Sequence, residues 1–428
     1  MDLDIDIDTD TTTQEIILAA SNHDTTKLRE LFRSASANVQ DPETGITPLH
    51  AAIAACAPDV PADQTNTRAD GVNVNGSASP GRSSDEEAAA VETVKLLFEN
   101  GAVWNDLDHE NETPGCLALR LKLKNVYDVI VEAGIRAELL LNRLDEFEML
   151  ADADDEEYDE PGEAVEGFEV VNAMEEGSAN LQSSAVEIEH SIPELIQVDA
   201  EGTETEIDVN SADYLASDLI FHGDRLLDAD NNGVMMAWET DIMKRTAKLL
   251  VPKQGLRILN VGHGMGIIDA LFQGETPSAH HIIEAHPDVL ARMRRDGWYE
   301  KPGVTVHEGR WQDLVPKLVE DNVTFDAIYF DTFAEDYKAL KEFFSECVIG
   351  LLDLCGKFGF FSGLGADRQI CYDVYTKIVE MELFEAGLDT TWEDVHIPDL
   401  EGSGEWQGVR RRYWALENYR LPICEFVG

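Results

Sequence analysis

From Ser211 to the C-terminus, short apolar runs alternate with longer amphipathic stretches. That alternation leaves few folds open. The apolar runs are RILNV (257–261), HHIIEA (280–285), VTVHEG (304–309), FDAIYFD (325–331) and KFGFFSG (357–363). Helical periodicity fills the gaps with IIDALF, PDVLARMRRDGWY, WQDLVPKLVE and EDYKALKEFFSECVIGLLDL. Strands joined through helices form right-handed crossovers, so the pattern predicts an α/β, doubly wound, mostly parallel sheet. After the fifth run come a helix, ICYDVYTKIVEMELFEAGL (370–388), and two extended pieces, TWEDVHIP and RRRYWALENYRLPICEF. They predict an antiparallel pair added to one edge.

The first run breaks into glycines: LNVGHGMGIIDALF spans Leu259–Phe272. Gly262, Gly264 and Gly266 allow a tight turn and close backbone approach. The helix that follows offers free N–H groups and a positive dipole end to an anion. GHGMG is G-x-G-x-G, not the G-x-G-x-x-G of dinucleotide sites, so a pyrophosphate and an amino-acid carboxylate both suit it. The second run ends in Glu284, where a carboxylate can accept both hydroxyls of a ribose. After the third, Trp311 and Gln312 can wall an adenine and hydrogen-bond its edge.

Two carboxylates stand out against this frame. Asp331 closes the fourth strand, at the edge where doubly wound sheets bind ligands. Glu239 lies in VMMAWETDIM (234–243), read as helical, with Met243 four residues on and on the same face. A carboxylate ending a buried strand needs a partner. Two facing one cavity would match a guanidinium, which is planar and carries five donors.

The preceding half of the chain is different. Thr47–His50 (TPLH) opens one apolar helix and Thr113-Pro114 another, 66 positions later. TPLH resembles the ankyrin signature, and the gap is twice that repeat's period of about 33 residues. Residues 1–145 are therefore expected to be all-α ankyrin-like repeats with a protein-binding face. Residues 57–87, rich in Pro, Gly, Ser and Asn, are expected to be a disordered insertion. Leu144 to Asp224 holds 26 Asp and Glu and no Lys or Arg, so 146–210 is expected to be an acidic flexible linker to a domain over 211–428.

The formal net charge of −53 argues against nucleic acid or an anionic membrane as partner, and suits a basic protein. The six cysteines include no C-x-x-C pair, so no metal site is expected, and they read as reduced thiols. The acidic start lacks the order of a signal peptide. No apolar run reaches the roughly 18 residues of a membrane span. A location in cytoplasm or nucleus is expected.

Taken in order and spacing, MMAWETDIM (235–243), GHGMGIID (262–269), IIEAHPDV (282–289) and FDAIYFDTF (325–333) resemble guanidinoacetate N-methyltransferase. With ankyrin-like repeats ahead of it, the chain resembles a narrower family, the fungal protein arginine N5-methyltransferases (type IV). The resemblance implies a Rossmann-like class I methyltransferase domain that uses S-adenosyl-L-methionine. It also implies methylation of the δ nitrogen of arginine side chains in proteins. By resemblance, Glu239 and Asp331 hold the guanidino group, with Asp331 also at the cofactor. Gly262, His263, Gly264, Met265, Gly266 and Ile267 wrap the methionine part. Glu284, Ala285 and His286 lie at ribose and adenine, Trp311 and Gln312 beside adenine, and Tyr214 and Met243 flank the cofactor. Three other readings stay open from the residues alone. They are a small-molecule guanidino methyltransferase, a nicotinamide-dependent oxidoreductase and a non-catalytic repeat scaffold.

Overall fold

The computed structural model describes residues 6–57, 84–152, 197–198, 204–205 and 211–428. Most of the expected insertion (57–87) and of the expected acidic linker (146–210) lies outside these residues.

The N-terminal described residues are helical: α1 (Asp6–Ser21), α2 (Thr25–Leu31), α3 (Pro48–Ala54), α4 (Ser84–Glu99), α5 (Pro114–Arg120) and α6 (Lys124–Asp152). The two Thr-Pro pairs start helices in the same way. Thr47 and Thr113 are N-caps whose hydroxyls accept the N–H three residues on, from His50 and Cys116, and each is followed by a proline at the first helical position. His50 joins the two turns. Its Nε2 lies 3.0 Å from the Glu112 carbonyl, which can only accept, so Nε2 carries the proton and Nδ1 accepts from the Thr47 side. Burial pushes the His50 pKa down, in keeping with a neutral ring.

The C-terminal part opens with α7 (Ser211–Ala216) and a meander of β1 (Ile220–His222), β2 (Arg225–Leu227) and β3 (Gly233–Met236). There follow α8 (Thr240–Leu250), β4 (Arg257–Val261), α9 (Ile267–Gly274), β5 (Ala279–Glu284), α10 (Pro287–Arg295), β6 (Val304–Glu308), α11 (Trp311–Glu320) and β7 (Phe325–Phe330). Then come α12 (Tyr337–Glu342), α13 (Val348–Leu351), β8 (Leu352–Phe360), α14 (Gln369–Glu385), β9 (Leu388–His396) and β10 (Asn418–Phe426). Among the described residues seven of these strands form one sheet in the order β9-β10-β8-β7-β4-β5-β6. β4 to β8 are parallel, and β10 runs antiparallel to both β8 and β9. This is a mostly parallel, Rossmann-like, doubly wound sheet, with strand order reversing between β4 and β7.

Two expectations need correction. The fifth strand begins at Leu352, not Lys357, with an irregular register before Lys357; the preceding helical stretch ends at Leu351. The stretch read as one helix around Glu239 is a strand, a tight turn (Ala237–Glu239) and then α8. Pairing with β2 holds Gly233–Met236 extended, which overrides the local helical pattern.

The helices of the N-terminal part pack on α14 without a gap. A Cβ on Gly115 would lie 2.4 Å from the Ile370 side chain, and one on Gly134 2.9 Å from Val374. Glu138, buried at this seam, accepts from Trp104 Nε1 (3.1 Å) and the Tyr375 hydroxyl (3.3 Å). The Tyr127 hydroxyl donates to Asp373 at 2.6 Å. A single apolar core runs from Ile16 and Leu49 through Ile370 and Val374 to Phe358 and Phe360 of the sheet. Among the described residues no helix is long and apolar enough to cross a membrane.

Candidate active site

The glycine loop follows β4 because its backbone must turn where side chains do not fit. Gly262, Gly264 and Gly266 all have positive φ, at 93°, 53° and 75°. The Gly262 N–H donates to the Ile283 carbonyl on one side, and the Asp331 N–H donates to Val261 on the other, both at 2.9 Å. Glu284 closes the loop from the end of β5. Its Oε2 accepts the His263 N–H at 2.9 Å, and its Oε1 the His286 N–H at 2.7 Å. Beneath the loop Asp269 is fully buried and accepts from Asn260 Nδ2 (2.8 Å), His263 Nδ1 (2.6 Å) and His280 Nε2 (2.9 Å). Burial would raise its pKa, but the charges and hydrogen bonds of His263 and His280 outweigh that and hold it at about 2.

Over the carboxyl ends of the strands lies a cavity of about 350 Å³. Tyr214, Glu239, Gly262, Gly264, Glu284, Ala285, Trp311, Gln312 and Asp331 line it together. These residues come from six separate places in the chain. Tyr214 is fixed by rings on two sides, His286 at 4.8 Å and Phe333 at 4.9 Å between centroids.

Six of the residues singled out from sequence stand behind the cavity wall. Met243 is fully buried in the core with Ile242 and Ala247, because α8 starts only at Thr240 and its apolar face turns to the sheet. The His263 ring points at Asp269 and packs edge-on against Trp298. That ring also blocks the space beside Gly266, where a Cβ would lie 2.7 Å from Nε2. Met265 and Ile267 pack on the core around Met235. The His286 ring, fully buried, bonds the Tyr214 carbonyl at 3.0 Å, so it supports a lining residue from behind.

Glu239 sits at the corner between β3 and α8, almost fully buried. Its Oε1 accepts both the Met236 N–H at 2.9 Å and the Tyr413 hydroxyl. Asp331 Oδ2 is buried and has no hydrogen-bond partner among the described residues. Burial pushes Glu239 up to about 7, against the pull of Tyr413 and the Met236 N–H. Burial and then the charge of Glu239 push Asp331 well above the usual carboxylate range, against the pull of the nearby Tyr329 hydroxyl, which falls short of hydrogen-bond geometry to Oδ2. Two such carboxylates resist ionising together in an empty site and are stabilised as anions by a fixed cation.

Gln312 presents a second orphan acceptor. Its Nε2 donates to Glu335 at 2.8 Å, beside the Trp311 indole N–H, which donates to the same carboxylate at 3.0 Å. The Gln312 Oε1 is left buried without a hydrogen-bond partner among the described residues. An exocyclic amine fits that acceptor, and the Trp311 ring walls the space beside it. The cradle, the Glu284 carboxylate and this acceptor together fit an adenosyl amino-acid cofactor.

The sequence reading missed Met235, Glu335, Arg411 and Tyr413, which also line the cavity. Met235 was visible next to Glu239, but nothing local shows that its sulfur accepts the Met265 N–H at 3.3 Å. Tyr413 comes from a segment read only as extended, 174 residues after Glu239.

The guanidinoacetate N-methyltransferase family profile matches residues 201–386. A protein arginine N-methyltransferase 2 from Emericella nidulans is 55% identical over 424 residues, covering 97% of each chain. The protein of that name from Aspergillus fumigatus is 56% identical, over 97% of this chain and 96% of that one. The one from Neurospora crassa is 42% identical, over 97% and 96%. Among solved structures, the O-methyltransferase TomG from Streptomyces achromogenes in complex with SAM is similar at 15% identity, covering 45% of this chain and 82% of that chain, with a TM-score of 0.32. At this identity over nearly the full length of several relatives, the chain belongs to the fungal protein arginine N-methyltransferase 2 family.

Proposed function

We propose that the cavity binds S-adenosyl-L-methionine and the side chain of an arginine in a protein, and that a methyl group passes to the δ (N5) nitrogen. The observation that carries this is a pair of buried acceptors on one cavity, Gln312 Oε1 and Asp331 Oδ2, which have no hydrogen-bond partner among the described residues. Leaving a buried acceptor unpaired costs about 1–3 kcal/mol, so each marks a place for a donor. An adenine amine suits the first and a guanidinium the second.

The cofactor, when bound, supplies an electrophilic methyl group on a sulfonium sulfur. The chain's own residues do the rest. Gly262 and Gly264 bring backbone close to the amino-acid part, and Glu284 accepts from the ribose. Glu239 and Asp331 hold the guanidinium in plane and draw its positive charge toward the nitrogens they bind. That leaves the remaining nitrogen a better donor. Positioning of this kind is worth effective molarities of about 10⁵ M or more. One N–H proton must leave as the new N–C bond forms. Glu239, with a pKa near 7 in the free site, is suited to hold it.

The matching Thr-Pro caps support reading residues 1–145 as ankyrin-like repeats that recruit a protein. On this reading 146–210 links them to the methyltransferase domain over 211–428. The acidic excess favours a basic substrate, met in cytoplasm and nucleus.

The test is transfer from labelled S-adenosyl-L-methionine to a fungal protein extract and, in parallel, to guanidinoacetate, followed by hydrolysis and identification of the methylarginine. δ-Methylarginine in protein, lost in Glu239→Gln, is the expected result. Label in guanidinoacetate alone would overturn the protein reading.

The carboxylate pair also sets a pH dependence. Both raised pKa values mean that the free site keeps protons which a guanidinium must displace. Activity should therefore rise with pH through an apparent midpoint near 7, where an ordinary glutamate would titrate near 4.5. A kcat/KM profile for the protein substrate measures this. A flat profile from pH 6 to 8 would contradict it.

A further inference from the structure

We propose that Tyr413 is a positioning residue for methyl transfer: its hydroxyl occupies one oxygen of Glu239 and leaves the other as the carboxylate's single face toward the substrate. The inference rests on the reading of the cavity given above.

Glu239 has two oxygens, and they have different surroundings. Oε1 takes two donors, the Met236 N–H at 2.9 Å and the Tyr413 hydroxyl. With its lone pairs engaged, Oε1 is fixed in place, and the guanidinium is left with Oε2. The main-chain donor alone would let the carboxylate rotate about its terminal bond. The second donor, from a different part of the chain, stops that rotation.

The Tyr413 ring is held as firmly as its hydroxyl. Trp238 stacks beside it with centroids 5.8 Å apart and planes 29° from parallel, and Trp406 meets it edge-on at 5.1 Å. On the β3 side the ring packs closely on backbone, since a Cβ on Gly233 would lie 3.0 Å from it. The segment is tied to the same neighbourhood through its backbone, where the Arg410 N–H donates to the Asn231 carbonyl at 2.9 Å. A phenylalanine would fill the same space. What the hydroxyl adds is the hydrogen bond to the carboxylate, beside its contact with Trp238.

The other groups acting on Glu239 pull in both directions. Asp331 at the end of β7 opposes its ionisation, while the Met236 N–H favours it. The Tyr329 hydroxyl on β7 and the Tyr419 hydroxyl on β10 lie within electrostatic range, and Arg411 lines the same cavity. Among these, Tyr413 is the side chain that donates directly to Glu239. Removing its hydroxyl should make the site ionise at higher pH.

The experiment compares full-length wild type with Tyr413→Phe. The kcat/KM for the protein substrate at neutral pH should fall about 10- to 100-fold, and the midpoint of its pH profile should move up by about one unit. The KM for S-adenosyl-L-methionine should stay within about twofold, as expected of a contact made only to the guanidino side. A uniform loss with an unmoved midpoint would overturn the proposal in favour of plain packing, and so would wild-type activity. Infrared titration of the buried carboxyls, with Glu239→Gln to assign the band, reads the same midpoint without any substrate. An unshifted band in Tyr413→Phe overturns the proposal whatever the activity. A shifted band in a protein that methylates no arginine supports the contact and instead overturns the proposed function. If the phenylalanine variant does not fold, fluorotyrosine at position 413 keeps the ring and strengthens the donor. It should move both midpoints down, and unmoved midpoints overturn the proposal.

Discussion

Asp331→Asn is expected to slow methyl transfer roughly 10³-fold and at the same time raise the melting temperature of the free protein. The two effects have one cause. Asp331 Oδ2 is buried without a hydrogen-bond partner among the described residues, and Glu239 shares its cavity. Burial and that neighbouring charge hold the Asp331 pKa well above its unfolded value. A carboxyl with a raised folded pKa binds more protons folded than unfolded once pH exceeds the unfolded value near 3.8. Stability is therefore lost as pH rises from there through the folded pKa. Asparagine keeps the shape and removes the ionisation, so at pH 8 it should add about 1–2 kcal/mol, or roughly 2–4 °C. It also removes the anion that pairs with the guanidinium. Truncating one member of a buried charge pair costs about 2–5 kcal/mol, so the rate should fall roughly 10³-fold. Thermal melts at pH 5 and pH 8, beside rate measurements, check both halves. The stabilisation should shrink at pH 5, where the wild-type carboxyl is already protonated. A variant that is both inactive and less stable would place Asp331 in the structural framework instead.

What could be read before any coordinates is what repeats locally. Strand and helix periods gave the sheet, and turn glycines gave the loop, because each signal lies within a few neighbouring residues. Glu239 and Asp331 stood out because a carboxylate next to an apolar run is costly wherever that run is buried. The failures have the opposite origin. Met243 was put beside Glu239 by helical spacing, but the β2–β3 pairing keeps Gly233–Met236 extended and delays α8 until Thr240. His263 looked like part of a cofactor cradle. Its ring answers to Asp269 and Trp298, which no motif places under the loop. Tyr413 and Glu335 left no trace, since their partners Glu239 and Gln312 are brought to them only once the sheet is assembled.

Gly262→Ala should be the most damaging single-methyl change in the glycine loop. A Cβ there would lie 1.9 Å from the carbonyl oxygen of Asp331, a backbone atom that no rotamer change can move. The φ of 93° adds strain for any L side chain. Relief requires the ends of β4 and β7 to part, and with them the hydrogen bond from the Asp331 N–H to Val261. A cost of about 3–5 kcal/mol is expected, together with a rate loss of about 10²-fold in whatever folds, because a shift near 1 Å at Asp331 is enough for that. Gly264→Ala meets the flexible end of Met235 at 2.9 Å, which can swing aside, so its effect should be smaller. Gly274→Ala, with nothing within 4 Å, should leave both stability and rate near wild type. Melting temperature and kcat/KM across the three variants test this ranking. If Gly262→Ala matched Gly274→Ala, the loop would have to leave β7 in solution, and Asp331 would lose the backbone contact that aims it into the cavity.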